Sequence, residues 1–268
     1  MSRWIGISGL LGLATAAALV PAAAWADTAQ AGDEQIVDLP LRGGGHQRVL
    51  MAAPARSRGT IVMFPGGDGD VGLRSDGDIR HDANFVVRTR GLWNARGYTV
   101  VIPDTVDGAN LRGLRSSPGY AALVRDLVEM AHARMAGPVF LMGTSQGSIA
   151  AMNGAAHEAP GSVAGVVLTE SVSVMGGSHE TVFDASPQRV RVPALIVANR
   201  DDRCSVAPPA DAPRIAAAMT GSRDVRVLMV AGGDKRSASD CGSRTPHGYY
   251  GIESAVVSQI GQWLNAHG

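Results

Sequence analysis

The chain has 268 residues, with 24 basic and 24 acidic side chains, so its formal net charge at neutral pH is zero. This balance, without a run of like charges, argues against a nucleic-acid partner and against a strongly charged partner surface. The length suits one large α/β domain with a sizeable buried core.

The first 26 residues have the pattern of a secretory signal peptide. Arg3 precedes an apolar stretch from Trp4 to about Val20, and Ala24-Trp25-Ala26 forms an A-x-A cleavage site. We expect cleavage after Ala26, which leaves residues 27–268 as one domain exported to the periplasm or the medium. No later segment is apolar for long enough to span a bilayer, so the mature chain is expected to have no membrane anchor.

Short apolar runs alternate with amphipathic segments along the mature chain. The predicted strands are 48–52, 60–64, 98–102, 139–142, 163–168, 194–198 and 225–230. The predicted helices are 84–96, 120–135, 148–157, 210–219 and 252–264. We expect the first strand to be antiparallel at the sheet edge. The later strands are mostly apolar throughout, which predicts an α/β fold with a mostly parallel sheet and helices on both faces.

The stretch Gly143-Thr144-Ser145-Gln146-Gly147 lies between a predicted strand and a predicted helix. A serine with glycine two residues away on each side, in that position, is the pattern of a nucleophile elbow. The turn is so tight that side chains at the flanking positions would collide, so glycine is needed there. The strained turn would hold the Ser145 hydroxyl at the tip of the sheet, where a substrate carbonyl can reach it.

The chain has two cysteines, Cys204 and Cys241. An even pair in an exported protein favours a disulfide, and the absence of clustered histidines makes a zinc site a poor alternative. The segment that begins at Asp68 resembles a calcium loop, but Ile79 stands where a calcium-binding loop requires glutamate. We therefore predict no metal and no cofactor.

The chain resembles the α/β-hydrolase superfamily in the serine turn and in three further motifs, which occur in the superfamily's order. These motifs are Phe64-Pro65-Gly66-Gly67-Asp68-Gly69 after an early strand, Asn199-Arg200-Asp201-Asp202 after a later one, and Pro246-His247-Gly248 before the last helix. The resemblance runs from about Val49 to Leu264 and implies the α/β-hydrolase fold. The chain departs from it at Pro65-Gly66, where many members have His-Gly, but the following backbone N–H groups stay available.

The resemblance implies a catalytic set of Ser145, an acid and His247, in that order along the chain. The serine hydroxyl is a weak nucleophile, so the histidine takes its proton and the acid holds that histidine in the right tautomer. His247 follows the last predicted strand, where the superfamily carries its catalytic histidine. His179, in the loop after strand 163–168, is a weaker candidate.

The acid is predicted to be Asp202, because the superfamily pattern G-x-x-D places Asn199 at its glycine. Two alternatives stay open: the neighbouring Asp201, and Glu170, which follows the preceding strand where some superfamily members carry their acid. A bond between the two cysteines would tie the acid loop to the histidine loop, since Cys204 lies two residues after Asp202.

Two backbone N–H groups are expected to stabilise the negative charge of the tetrahedral intermediate. We expect one to be the N–H of Gln146, the residue after the nucleophile. We expect the other to be the N–H of Gly67, in the turn after strand 60–64. Segment 171–192 is too short for the lid of larger relatives, so the cap is expected to be minimal, as in cutinase-like and dienelactone-hydrolase-like members.

The sequence therefore predicts an exported serine hydrolase that cleaves small carboxylic esters through an acyl-enzyme on Ser145, with thioesters and small amides as further candidate substrates. Two alternatives use the same fold differently. One is a lyase, acyltransferase or peptidase reaction with the same residues, and the other is a non-catalytic binding protein.

Overall fold

The computed structural model describes Met1 and residues 33–268. The predicted signal peptide, residues 1–26, lies outside the described residues except for Met1. Among the helices of the described residues, none combines the length and apolar character needed to cross a membrane.

Eight strands form one sheet within residues 33–268. They are β1 (Asp33–Pro40), β2 (His46–Ala53), β3 (Gly59–Phe64), β4 (Tyr98–Pro103), β5 (Val139–Thr144), β6 (Gly165–Thr169), β7 (Ala194–Asn199) and β8 (Val225–Val230). The α-helices in the same range are α1 (Phe85–Arg88), α2 (Arg90–Asn94), α3 (Pro118–Arg134), α4 (Gly147–His157), α5 (Ala212–Ala218) and α6 (Glu253–Asn265). Short 3₁₀ turns cover Val106–Gly108, Val182–Ala185, Pro187–Arg189, Pro209–Asp211 and Pro246–Gly248.

The strand order across the sheet is β1-β2-β4-β3-β5-β6-β7-β8. β1 and β2 form an antiparallel pair, and β2 is also antiparallel to β4. Every other neighbouring pair is parallel. The five strands β3 to β7 are buried along their whole length, as expected for parallel strands covered on both faces. The prediction of a mostly parallel sheet is confirmed.

Helices cover both faces of the sheet, and the sheet separates the core into two layers. Helices α3, α4 and α5 pack on one face, with Leu127 and Ile149 among the fully buried side chains. Helices α1, α2 and α6 pack on the other face, where Trp93 and Ile260 are fully buried. Because alternate residues of a strand point to opposite faces, each central strand contributes to both layers.

Two predictions about local structure need correction. The first predicted strand is antiparallel but does not lie at the edge, because β1 pairs outside it; β1 is polar and largely exposed, so its hydrophobic signal is weak. The predicted helix 84–96 is two short helices that meet at Thr89. The Thr89 hydroxyl donates a hydrogen bond to the Phe85 carbonyl oxygen at 2.7 Å, where α1 ends.

Candidate active site

Ser145 lies in the turn between β5 and α4 with a φ of 53°, in the left-handed region. A residue with a side chain in this region carries backbone strain of about 1–3 kcal/mol, and it stays there only because its surroundings hold it. The Ser145 N–H donates to the Thr169 carbonyl oxygen at 2.9 Å, and the Ser148 hydroxyl donates to the Ser145 carbonyl oxygen at 2.6 Å. These bonds fix the turn from the neighbouring strand and from the first turn of α4.

The two glycines that flank the turn have no room for a side chain. A Cβ atom on Gly143 would overlap the carbonyl oxygen of Gly147, and one on Gly147 would overlap the carbonyl oxygen of Phe64. Both obstacles are backbone atoms of packed elements, which cannot rotate away as a side chain can. The requirement for glycine therefore has a steric cause at each position.

We expect Gly147→Ala to lower the free energy of unfolding by about 3 kcal/mol or more, because overpacking against backbone is relieved only by moving β3 or α4. Gly91→Ala is the matched control. Gly91 lies in α2, where a Cβ atom would meet open space, and glycine to alanine in a helix changes stability by about 1 kcal/mol in the favourable direction. Urea denaturation of both variants measures the difference, and equal midpoints would contradict the close approach at Gly147.

The side chains of His247 and Asp202 form a buried pair. His247 Nδ1 and Asp202 Oδ2 lie 2.7 Å apart, with side-chain exposures of 4% and 0%. The other carboxylate oxygen, Asp202 Oδ1, accepts the N–H of Cys204 at 2.8 Å. Asp202 is thus held by a hydrogen bond at each oxygen, and it can orient the imidazole and stabilise its protonated form.

Ser145 and His247 line the same cavity, which has a volume of about 550 Å³. His247 Nε2, the ring nitrogen that does not face Asp202, is buried and has no hydrogen-bond partner among the described residues. The arrangement therefore leaves one imidazole nitrogen free for proton transfer in the cavity that contains the serine. The other candidate histidine, His179, is exposed in the loop after β6 and is not part of this lining.

Solved structures with the same architecture place the chain in a known fold. The dienelactone hydrolase of Anabaena variabilis is 15% identical, with a TM-score of 0.60 over 88% of this chain and 98% of its own. A Pyrococcus furiosus esterase is 10% identical, with a TM-score of 0.62 over 88% and 93%. A proline iminopeptidase from Mycobacterium smegmatis is 13% identical, with a TM-score of 0.58 over 88% and 98%. The protein has the α/β-hydrolase fold. No family model matches the chain, and no curated protein matches it.

In this α/β-hydrolase fold the turn after β3 approaches the serine closely. A Cβ atom on Gly66 would lie 3.1 Å from the Ser145 Cβ, and Gly67 has a φ of 64°. Gly66 and Gly67 both line the cavity, and Gln146 directly precedes α4. Of the two predicted oxyanion positions, Gln146 is therefore next to Ser145 in the chain, and Gly67 follows the glycine that approaches Ser145.

Of the three candidate acids, the structure brings two close to His247. Asp201 is exposed and turns away, because its Oδ2 accepts the N–H of Gly232. Glu170 is buried near the Asp202–His247 pair. A carboxyl oxygen of Glu170, a carboxyl oxygen of Asp202 and a ring nitrogen of His247 all lie within 4.8 Å of one another. The sequence placed these carboxyl groups after neighbouring strands, β6 and β7, but did not predict their contact.

The three side chains just described are also of the types that bind metal ions. The 2.7 Å separation between His247 Nδ1 and Asp202 Oδ2 is that of a direct hydrogen bond, and an ion between them would have to replace it. The hydrogen bond accounts for the His247–Asp202 contact without an ion. The absence of a metal stays a prediction.

A disulfide joins Cys204 to Cys241, whose Cα atoms are 4.6 Å apart. Cys204 belongs to the loop after β7 that carries Asp202, and Cys241 belongs to the loop before α6 that carries His247. The bond therefore connects the two loops of the α/β-hydrolase fold that meet in the Asp202–His247 pair. Cys241 also lines the cavity, so the bond lies at its wall.

The sequence singled out only part of the cavity walls, namely the turn at Gly67 and the segment around His247. One wall is the loop between β3 and α1, and the other is the loop before α6, with the polar lining residues Asp68, Asp70, Arg80, His81, Asp82 and Arg244. Segment 171–192, which the sequence predicts to be too short for a lid, forms two 3₁₀ turns and contributes nothing to this lining. The loop signal was present in the sequence as a run of charged and glycine residues after β3.

Proposed function

We propose that the protein is a serine hydrolase that cleaves carboxylic esters through an acyl-enzyme on Ser145. The observation that carries the proposal is the 2.7 Å contact between His247 Nδ1 and the buried Asp202, with His247 Nε2 left free in the cavity that Ser145 lines. A binding protein would have no need of a strained serine and a free imidazole nitrogen at one cavity, with a buried carboxylate on the other side of the imidazole.

In the proposed reaction, His247 Nε2 takes the proton of Ser145 as the serine oxygen attacks the ester carbonyl carbon. The carbonyl oxygen becomes negatively charged and accepts hydrogen bonds from the N–H groups of Gly67 and Gln146. The bond to the alcohol then breaks, and His247 gives the proton to the leaving oxygen. Water repeats the same steps on the acyl-enzyme, which releases the acid and restores Ser145.

The names of the structural neighbours support an ester substrate, since a dienelactone hydrolase and an esterase are among them. A small substrate agrees with a cavity of about 550 Å³.

We also propose that the protein is exported and that residues 27–268 are its mature domain. The signal-peptide pattern of residues 1–26 supports export, and so does the disulfide, because such bonds persist in oxidising compartments.

A fluorophosphonate probe tests the proposal directly, since it reacts with an activated serine and leaves a stable adduct of known mass. We expect one adduct, on the peptide that contains Ser145, and none in the Ser145→Ala variant. Ser243 lines the same cavity, so Ser243→Ala is the matched control and should be labelled to the wild-type extent. Folded wild-type protein that takes up no probe would favour a binding protein instead.

The disulfide leads to a further prediction about rate as well as stability. We expect reduction and alkylation to lower the free energy of unfolding by about 4 kcal/mol, from the chain entropy released in the unfolded state. We also expect kcat to fall by about ten- to a hundredfold, because small displacements of catalytic groups cost this much. Ester hydrolysis is measured on reduced protein shown to be folded by circular dichroism. Full activity in that sample would mean that the bond has no catalytic role.

A further inference from the structure

Glu170 is a buried carboxyl group that the proposed reaction does not use. It directly follows β6, with 1% of its surface exposed and a φ of 43°. Its Oε1 accepts the N–H of Asn199 at 2.8 Å, which ties it to the end of β7. Glu170 is not among the residues that line the cavity.

The charges around Glu170 do not favour two ionised carboxylates. The titratable groups that face it are Asp202, Tyr249 and, through Asp202, His247. The Tyr249 hydroxyl is buried too, and it donates to the Val197 carbonyl oxygen at 3.1 Å. An imidazole that accepts the Ser145 proton starts uncharged, so two ionised carboxyl groups at this distance would be two buried negative charges without a counter-charge. Such a pair of carboxyl groups holds a shared proton.

The hydrogen bonds indicate which of the two carboxyl groups carries the proton. Asp202 accepts the N–H of Cys204 at one oxygen and faces His247 Nδ1 with the other, and donors at both oxygens stabilise its anion. Glu170 has a donor only at Oε1, because Oε2 is buried and no group among the described residues donates to it. Burial, followed by the charge of Asp202, raises the pKa of Glu170 well above its usual range, against a smaller lowering by the Tyr249 hydroxyl and the Asn199 N–H.

We propose that Glu170 is a positioning residue that keeps a proton on Oε2 and donates it to Asp202. This bond would hold the Asp202 carboxylate toward His247 and leave the buried pair with a single negative charge. The inference rests on the proposed function, since it assigns a role in orienting the base of that reaction. It also explains why two carboxyl groups follow β6 and β7, where the reaction needs one acid.

The proton on Glu170 can be observed without any activity. The chain has six glutamates, so carboxyl carbon signals from protein labelled with ¹³C-glutamate can be resolved, and Glu170→Gln identifies the signal of interest. At about pH 7 we expect this signal at the chemical shift of a protonated acid, while exposed glutamates are ionised. A carboxylate shift for Glu170 at that pH would overturn the proposal.

Two variants separate hydrogen bonding from charge. The amide of Glu170→Gln can still donate to Asp202, so we expect its kcat to stay within about threefold of wild type. Glu170→Leu is similar in size but has no donor, and its kcat should fall by about ten- to a hundredfold with little change in KM, because Glu170 does not line the cavity. Thermal melting checks that both variants are folded.

The outcomes distinguish this inference from the proposed function. Equal activity of Glu170→Leu and wild type would mean that the bond to Asp202 has no role in the reaction. A loss in Glu170→Gln as large as in Glu170→Leu would mean that Glu170 acts as an ionised carboxylate. In both cases fluorophosphonate labelling of wild-type Ser145 would still support the hydrolase. If wild type takes up no probe, the hydrolase fails, and the ¹³C shift still decides where the proton lies.

Discussion

Replacing Ser145 with alanine is expected to lower kcat/KM for a chromogenic ester by on the order of 10⁶-fold, since the reaction loses its nucleophile. The fold should be unaffected, because alanine adds no atom to a turn that already holds a side chain at a φ of 53°. Residual hydrolysis would come from binding and from hydrogen bonds to the developing oxyanion. The measurement compares initial rates of the wild type and of Ser145→Ala over a range of ester concentrations.

The control for this experiment is Ser243→Ala. Ser243 lines the same cavity, so its replacement removes a hydroxyl of equal size from the same environment. We expect it to change KM more than kcat. If Ser145→Ala keeps a substantial fraction of the activity while folded, the nucleophile lies elsewhere and the proposed reaction is wrong.

The second large effect is expected from Asp202→Asn, which should lower kcat by about 10⁴-fold. The asparagine keeps the size of the side chain, but its uncharged amide cannot stabilise the protonated imidazole and favours the wrong tautomer of His247. Asp201→Asn is the matched control one residue away. Asp201 is exposed and bonded to the Gly232 N–H, an interaction that an asparagine oxygen can retain. Its kcat should stay near that of the wild type.

These two variants and Glu170→Gln together discriminate among the three candidate acids. Each replaces a carboxyl group by an amide of the same shape, so the volumes of the side chains are matched. A large loss at Asp201, with little at Asp202, would contradict the role that the buried His247 contact suggests. A loss at Glu170 equal to that at Asp202 would indicate that the two carboxyl groups act as a pair of anions.

Local chemistry explains why much of the fold could be predicted. Apolar runs of strand length separated by helical patterns predicted the parallel strands, because a strand covered on both faces needs apolar residues throughout. The elbow was predicted from Gly143 and Gly147, and the structure gives the steric reason in the carbonyl oxygens beside them. These signals come from residues close in sequence, so no knowledge of the tertiary structure was needed.

The features that sequence reasoning missed depend on contacts between distant segments. β1 pairs with β2 through its backbone, and its largely exposed side chains give little hydrophobic signal. The contact of Glu170 with Asp202 depends on the register of β6 and β7 and on the left-handed backbone of Glu170. The cavity walls depend on how the loops after β3 and before α6 fold toward each other, which their composition alone does not determine.

A crystal structure of the protein reacted with a fluorophosphonate would show the nucleophile, the base and the oxyanion donors together. We expect phosphorus bonded to Ser145 Oγ, His247 Nε2 within hydrogen-bond distance of that oxygen, and the phosphonyl oxygen facing the N–H groups of Gly67 and Gln146. An adduct on another residue, or a His247 ring that cannot reach the Ser145 oxygen in the adduct, would contradict it.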